Sequence, residues 1–180
     1  MPPEDLEKLV AEAGNSSHRA VVVIVDDDHF VRNSLAIVLK SKYELRVCAD
    51  GIEGVRAVDE NTDCVILDII MPGHDGFWVC KHMRKRFSNI PIIFYSARHD
   101  TGSAEDVIAE YSAFGYVAKR EPLSKLLSLV ERAVKLSKRR RESMVSRGKL
   151  RAARDQIRGI YSDSSPPGAQ LPRDPTVDTK

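Results

Sequence analysis

Cys64-Val65-Ile66-Leu67-Asp68-Ile69-Ile70-Met71-Pro72-Gly73-His74-Asp75-Gly76 decides the fold. Its first four residues are apolar without alternation, so the strand they predict is buried on both faces. One carboxylate, Asp68, closes the run, and a Pro/Gly loop follows. Ala20-Val21-Val22-Val23-Ile24-Val25 repeats the arrangement and ends in Asp26-Asp27-Asp28. Two neighbouring parallel strands ending in carboxylates would build an acidic pocket at one edge of a sheet. Such a pocket calls for a cation.

Working outward, strands and helices alternate. Val31, Leu35, Val38 and Leu39 fall at helical spacing after the first strand. Residues 43–48 read as a second strand, and a short helix with Val55 and Val58 on one side follows Gly51. After Gly76 comes a helix with Phe77, Cys80, Met83 and Phe87 near one stripe. Residues 92–95, behind Pro91, are a fourth strand, 105–112 a short helix and 116–118 a fifth strand. Pro122 opens the last helix, where proline sacrifices no hydrogen bond. Leu123, Leu126, Leu127, Val130 and Val134 form its stripe. Five βα units imply a parallel sheet with helices on both faces. The binding crevice of such a sheet lies at the carboxyl ends of its strands. Asp26, Asp27, Asp68, Ser96 and Lys119 all fall at or just beyond expected strand ends.

The chain of 180 residues suffices for one ordinary domain with tails. Residues 1–17 form an N-terminal helical extension, with Leu6, Leu9, Val10 and Ala13 at helical spacing and Gly14 as a stop. Residues 18–137 form the βα domain. Residues 138–161 are a basic, partly helical extension, and 162–180, rich in Ser, Pro, Gly and Asp, are expected to be disordered. Overall charge is nearly balanced, 28 basic against 26 acidic residues. Cys48, Cys64 and Cys80 lack CxxC spacing and read as small buried hydrophobes in a reducing compartment. No apolar run reaches membrane-spanning length, and the N-terminus lacks the pattern of a signal peptide. The expectation is a soluble cytoplasmic protein.

Crowded carboxylates repel one another and tend to take up protons. A divalent cation removes that penalty, and an all-oxygen ligand set favours Mg²⁺ over Zn²⁺. A carboxylate beside Mg²⁺ can attack phosphorus and form an aspartyl phosphate. Lys119 suits one phosphoryl oxygen and the Ser96 hydroxyl another.

With these residues in order, the chain resembles the receiver domain of response regulators in two-component signalling, over about residues 20–137. The resemblance implies a flavodoxin-like (βα)5 doubly wound parallel sheet of strand order 2-1-3-4-5. Asp26 and Asp27 match the family's acidic pair and Asp68 its phosphoacceptor. Met71-Pro72 and Asp75-Gly76 match the family's following loop. Ser96, before Ala97, matches the switch hydroxyl, Tyr116 the switch aromatic, and Lys119 the lysine. By resemblance, Asp27, Asp68 and the Ile70 carbonyl ligate Mg²⁺, with Asp26 acting mainly through water. Catalysis of self-phosphorylation falls to Asp68, Lys119 and Ser96. The family usually carries a cis proline directly after the lysine, whereas Arg120 and Glu121 stand there here. The aim of Lys119 is therefore a point to inspect.

The resemblance also implies partners: a sensor histidine kinase or phosphotransfer protein upstream and an effector protein downstream. The latter would bind the face of the fourth helix, fifth strand and fifth helix, and homodimerisation through the fourth helix is an option. With little chain after residue 137, a stand-alone receiver is expected. Ile70 and Arg98 flank the path of the attacking water in similar proteins. An apolar Ile70 cannot orient water, so slow self-hydrolysis is expected.

Other readings compete. Asp28 suits a helix N-cap. Asp26-x-Asp28 after the first strand also fits a haloacid-dehalogenase-like phosphatase, with Asp26 as nucleophile and Asp28 as acid/base. Phe30 is unusual for that class. Lone readings of Ser96, Lys119 and Tyr116 are a backbone-bonded hydroxyl, a solvated lysine and sheet packing. Trp78 falls off its helix stripe beside His82. The five histidines show no metal spacing. The basic stretch 138–154 could serve a nucleic-acid or scaffold adaptor. It has no aromatic interleaving and no recognition helix, so nucleic acid is not the expected partner.

Overall fold

The computed structural model describes residues 19–97 and 103–162. The elements are β1 (Val21–Val25), α1 (His29–Leu39), β2 (Glu44–Cys48), α2 (Gly51–Ala57), β3 (Thr62–Leu67), α3 (Gly76–Arg86), β4 (Ile92–Ser96), α4 (Ala104–Tyr111), β5 (Gly115–Ala118) and α5 (Leu123–Ser162). All strand pairs are parallel, in the order β2-β1-β3-β4-β5. This is the doubly wound order that the resemblance implies.

The unbroken apolar runs explain the layering. Successive strand residues point to opposite faces, so each run supplies two cores at once. Val22 and Ile24 of β1, Cys64 and Ile66 of β3, and Ile93 of β4 meet Leu35 and Leu39 of α1 and Leu126, Val130 and Val134 of α5. Val23, Val25, Val65, Leu67 and Phe94 meet Val79, Cys80 and Met83 of α3 and Val107 of α4. Each such fully buried side chain contributes about 1.5–3 kcal/mol relative to exposure.

Helix starts follow from capping. Asp28, Asp50 and Asp75 each accept a hydrogen bond from the backbone of the first turn of α1, α2 and α3. Ser103 and Asp106 form a capping box at α4. These caps bring α1 and α3 in directly behind the strand ends that carry Asp26 and Asp68.

One stripe residue falls elsewhere than expected. Val38 is 40% exposed while Leu35 and Leu39 are buried, because one helical position rotates a side chain by about 100°. Further along α5, Met144 and Val145 are 72% and 58% exposed. The helix itself continues to Ser162. The chain divides into two units, one ending at Arg139 and one beginning at Arg140. Cys48, Cys64 and Cys80 are buried and free. Among the described residues no helix is long and apolar enough to cross a membrane. The expected N-terminal helix, Arg98, and the tail beyond Ser162 lie outside the described residues, as do His18 and His99.

Candidate phosphoacceptor site

Ladder hydrogen bonds carry the strands one residue past their ends. The Asp68 N–H donates to Val25 O at 2.8 Å, and the Lys119 N–H donates to Ser96 O at 2.9 Å. Asp26, Asp68 and Lys119 therefore emerge at one sheet edge, although they are far apart in sequence. The Lys119 Nζ lies 2.6 Å from Asp68 Oδ2 and 2.8 Å from Asp26 Oδ2. Carboxylate oxygens of Asp26, Asp27 and Asp68 all lie within 4.8 Å of one another. Among the described residues this is the one such group of metal-ligating side chains. Asp26 and Asp68 are buried, whereas Asp27 is exposed at the mouth.

The electrostatics follow from that crowding. Burial pushes the Asp26 carboxyl above its usual range, and the Lys119 ammonium offsets only part of this. Burial pulls Lys119 down, but its bonds to Asp26 and Asp68 outweigh burial and hold it above the ordinary lysine range. Three carboxylates face one ammonium, so the cluster is rich in negative charge. All its donors are hard oxygens, a set that fits Mg²⁺ and offers zinc none of its preferred nitrogen or sulfur.

The surroundings orient Asp68. Asp68 Oδ1 accepts from the Ile70 N–H at 3.2 Å, and the Ile70 side chain is 55% exposed beside it. Asp26 Oδ1 accepts from the Asp28 N–H at 3.0 Å. Asp28 itself caps α1 through the Phe30 N–H at 2.8 Å, which uses its carboxylate structurally. Ser96, fully buried, is the last residue of β4 and pairs with Ala118 in β5. Tyr116 pairs with Phe94 and is half-buried against the α3–α4 core. By strand alternation Ser96 shares that face.

Sequence reasoning did not anticipate two contributors. Arg32 of α1 donates to Asp26 O at 2.6 Å. Glu121 ties down the turn holding Lys119, accepting from the Ala118 N–H at 3.0 Å. No cis peptide occurs among the described residues, and Lys119 nevertheless reaches Asp68. Trp78 is half-buried and stacks on His82, ring centroids 3.7 Å apart.

Residues 22–131 match the family described as the response regulator receiver domain. Among curated proteins, the Response regulator MprA of Mycobacterium sp. (strain KMS) is 34% identical over 109 residues, 59% of this chain and 47% of that protein. The uncharacterized transcriptional regulatory protein YrkP of Bacillus subtilis is 40% identical over 81 residues, 44% of this chain and 35% of that protein. The chain thus spans less than half the length of these relatives. A receiver-domain crystal structure from Clostridium thermocellum superposes with a TM-score of 0.60 at 23% identity, covering 66% of this chain and 97% of that one. This last likeness concerns the fold.

Proposed function

The chain belongs to the response-regulator receiver family, and from that premise we propose that it is a switch that accepts a phosphoryl group on Asp68 from a histidine kinase or phosphotransfer protein. The observation that carries the proposal is the Lys119 Nζ bridging Asp68 and Asp26 at the carboxyl edge of the sheet. An ammonium already seated on the acceptor carboxylate is placed to neutralise charge on an incoming phosphoryl oxygen.

In the proposed reaction an Asp68 oxygen attacks phosphorus in line with the donor bond. A P–O bond forms as the P–N bond of phosphohistidine breaks. The departing imidazole nitrogen keeps the electron pair and takes a proton from solvent. Lys119 holds one phosphoryl oxygen and the Ser96 hydroxyl donates to another. Asp26, Asp27, Asp68 and the Ile70 carbonyl would hold Mg²⁺, which supplies charge neutralisation at the phosphoryl group when bound. The protein modifies itself and turns over no external substrate in this reading.

The new dianion then draws Ser96 toward it, and Tyr116 moves into the vacated space. An effector protein, or a second copy, binding the α4-β5-α5 face with different affinity in the two states would read the switch. A cytoplasmic location goes with an ATP-fed kinase as donor. We assign the receiver to residues 18–137, flanked by the segments 1–17, 138–161 and 162–180 as accessory parts.

The test is labelling of the full chain by a small phosphodonor with and without Mg²⁺, read by intact mass. Wild type should gain one Mg²⁺-dependent phosphoryl group, and Asp68→Asn should gain none. Labelling that survives Asp68→Asn but is lost in Asp26→Asn would favour the phosphatase chemistry instead. The phosphatase reading has less support, because Asp28, its acid/base, is engaged as a helix cap.

A further inference from the structure

Although the basic segment has no recognition helix to read bases, we propose that α5 beyond Arg139 carries a phosphate-binding stripe for duplex DNA, a property separate from the Asp68 site. Arg140, Arg147, Arg151 and Arg154 are all exposed there. At about 100° per residue they fall within roughly 60° of one line along the helix, over about 21 Å. Arg147, Leu150, Arg151 and Arg154 line one shallow depression of the surface. Among the described residues, neither acid of this segment lies on the line of the stripe. Glu142 sits roughly 150° around the helix from it. Asp155 pairs with Arg154 only loosely, Nε to Oδ1 at 3.8 Å, with both side chains more than half exposed. A phosphate can displace such a screened pair.

The chemistry of the stripe selects its partner. Guanidinium forks match phosphate oxygens in a two-toothed geometry that lysine lacks. A lipid surface would need an apolar face on the same helix. Met144, Val145 and Leu150 are the large apolar side chains exposed here, and they point about 100–140° apart, so no such face exists among the described residues. A helix about 10–12 Å across matches the roughly 12 Å width of the B-form major groove, so a single line of guanidinium groups can follow the phosphates along one rim, whereas the major groove of A-form RNA is too narrow. Contacts to phosphate alone carry no base sequence, so the binding is sequence-independent.

The experiment uses the full chain and a fluorescein-labelled duplex of arbitrary sequence, read by anisotropy across a salt series. Four phosphate contacts predict a log–log salt slope of about −3 to −4, or about a hundredfold loss of affinity from 50 to 200 mM salt. The pair Arg147→Glu/Arg151→Glu should abolish about half of that slope and weaken binding more than tenfold. Lys138→Glu/Lys149→Glu changes net charge equally but lies on the opposite side of the helix, and should weaken binding far less. Circular dichroism checks that helix is retained; if the Glu pair loses it, Arg147→Gln/Arg151→Gln gives the same readout. Equal losses in the two pairs, absence of binding at 50 mM salt, or binding to phosphatidylserine vesicles without binding to duplex would each overturn the proposal.

Discussion

Glu121 and Ala118 hold each other in both directions: the Ala118 N–H donates to Glu121 Oε1 at 3.0 Å, and the Glu121 N–H donates to Ala118 O at 2.9 Å. Lys119 lies inside that turn. Lys125 pairs with the other Glu121 oxygen and, with the Ala118 N–H, holds the carboxyl below its usual range. The turn thus gains side-chain closure where the family usually has proline. Glu121→Ala should slow labelling of Asp68 by a small phosphodonor about tenfold, since small errors of aim are expensive in phosphoryl transfer. Stability should fall by less than about 1 kcal/mol, because the pair is partly solvated. Glu121→Gln keeps the acceptor and should recover most of the rate. An unchanged initial rate in the alanine variant would refute the role.

Gly76 begins α3 against the backbone of Asp68 and Ile69. A Cβ there would stand 2.1 Å from Asp68 O and 2.8 Å from Ile69 Cα. Both are backbone atoms with no flexible end to yield. Gly76→Ala should therefore cost about 2–3 kcal/mol or more in urea unfolding and slow Asp68 labelling together with it. Gly148, by contrast, has no atom within 4 Å of a built Cβ. Gly148→Ala should add helix by circular dichroism, worth about 0.5–1 kcal/mol locally, without changing labelling.

Beside Asp68, Ile70 offers solvent an apolar side chain that has no hydrogen bond to give a water there. Its backbone N–H is already committed to Asp68 Oδ1. Ile70→Asn should shorten the lifetime of the phosphorylated protein several-fold, on the order of one amide hydrogen bond to the attacking water. The check is first-order loss of the added mass after the donor is removed. A decay identical to wild type would exclude Ile70 from control of hydrolysis.

Burial pushes the Cys48 thiol up to about 11, and burial also raises Cys64 and Cys80. The native state keeps the Cys48 proton longer than the unfolded chain does. The associated stability is fully present below the ordinary thiol range and is lost as pH rises through about 11. For Cys48 this amounts to about 2–3 kcal/mol. Urea midpoints should therefore drop steeply above pH 9 in wild type. Cys48→Ala, though less stable at pH 7, should drop less over the same range. Native protein at pH 7.5 should also react slowly with thiol reagents, and rapid labelling of all three cysteines would contradict their burial.

The fold was legible because the runs at residues 20–25 and 64–67 are apolar without alternation, which only a sheet covered on both faces tolerates. The positions of Asp26, Asp68, Ser96 and Lys119 followed, since strand ends fix where backbone polarity can turn into a site. Val38 was misplaced because neighbouring valines and leucines on a helix differ in sequence by nothing that marks the buried one. Glu121 and Arg32 escaped notice for another reason. Arg32 donates to a backbone carbonyl and Glu121 accepts from a backbone N–H three residues earlier in its own turn, and hydropathy records neither kind of partner.

Asp63 shows the same blindness at the centre of the sheet. β1 pairs Val21 with Thr62 but Val22 with Cys64, so Asp63 is the additional residue of a bulge. The bulge would strand the Val21 N–H, and Asp63 Oδ2 accepts it at 3.0 Å in a fully buried setting. The Asp63 carbonyl in turn accepts from the Ser137 hydroxyl of α5 at 2.8 Å. Asp63→Ala leaves a buried donor unpaired and should cost about 1–3 kcal/mol in urea unfolding. Asp63→Asn retains an oxygen acceptor and should cost less, while Ser137→Ala removes one neutral bond worth about 1 kcal/mol. An alanine variant as stable as wild type would mean that the bulge can relax and pair Val21 without the carboxylate.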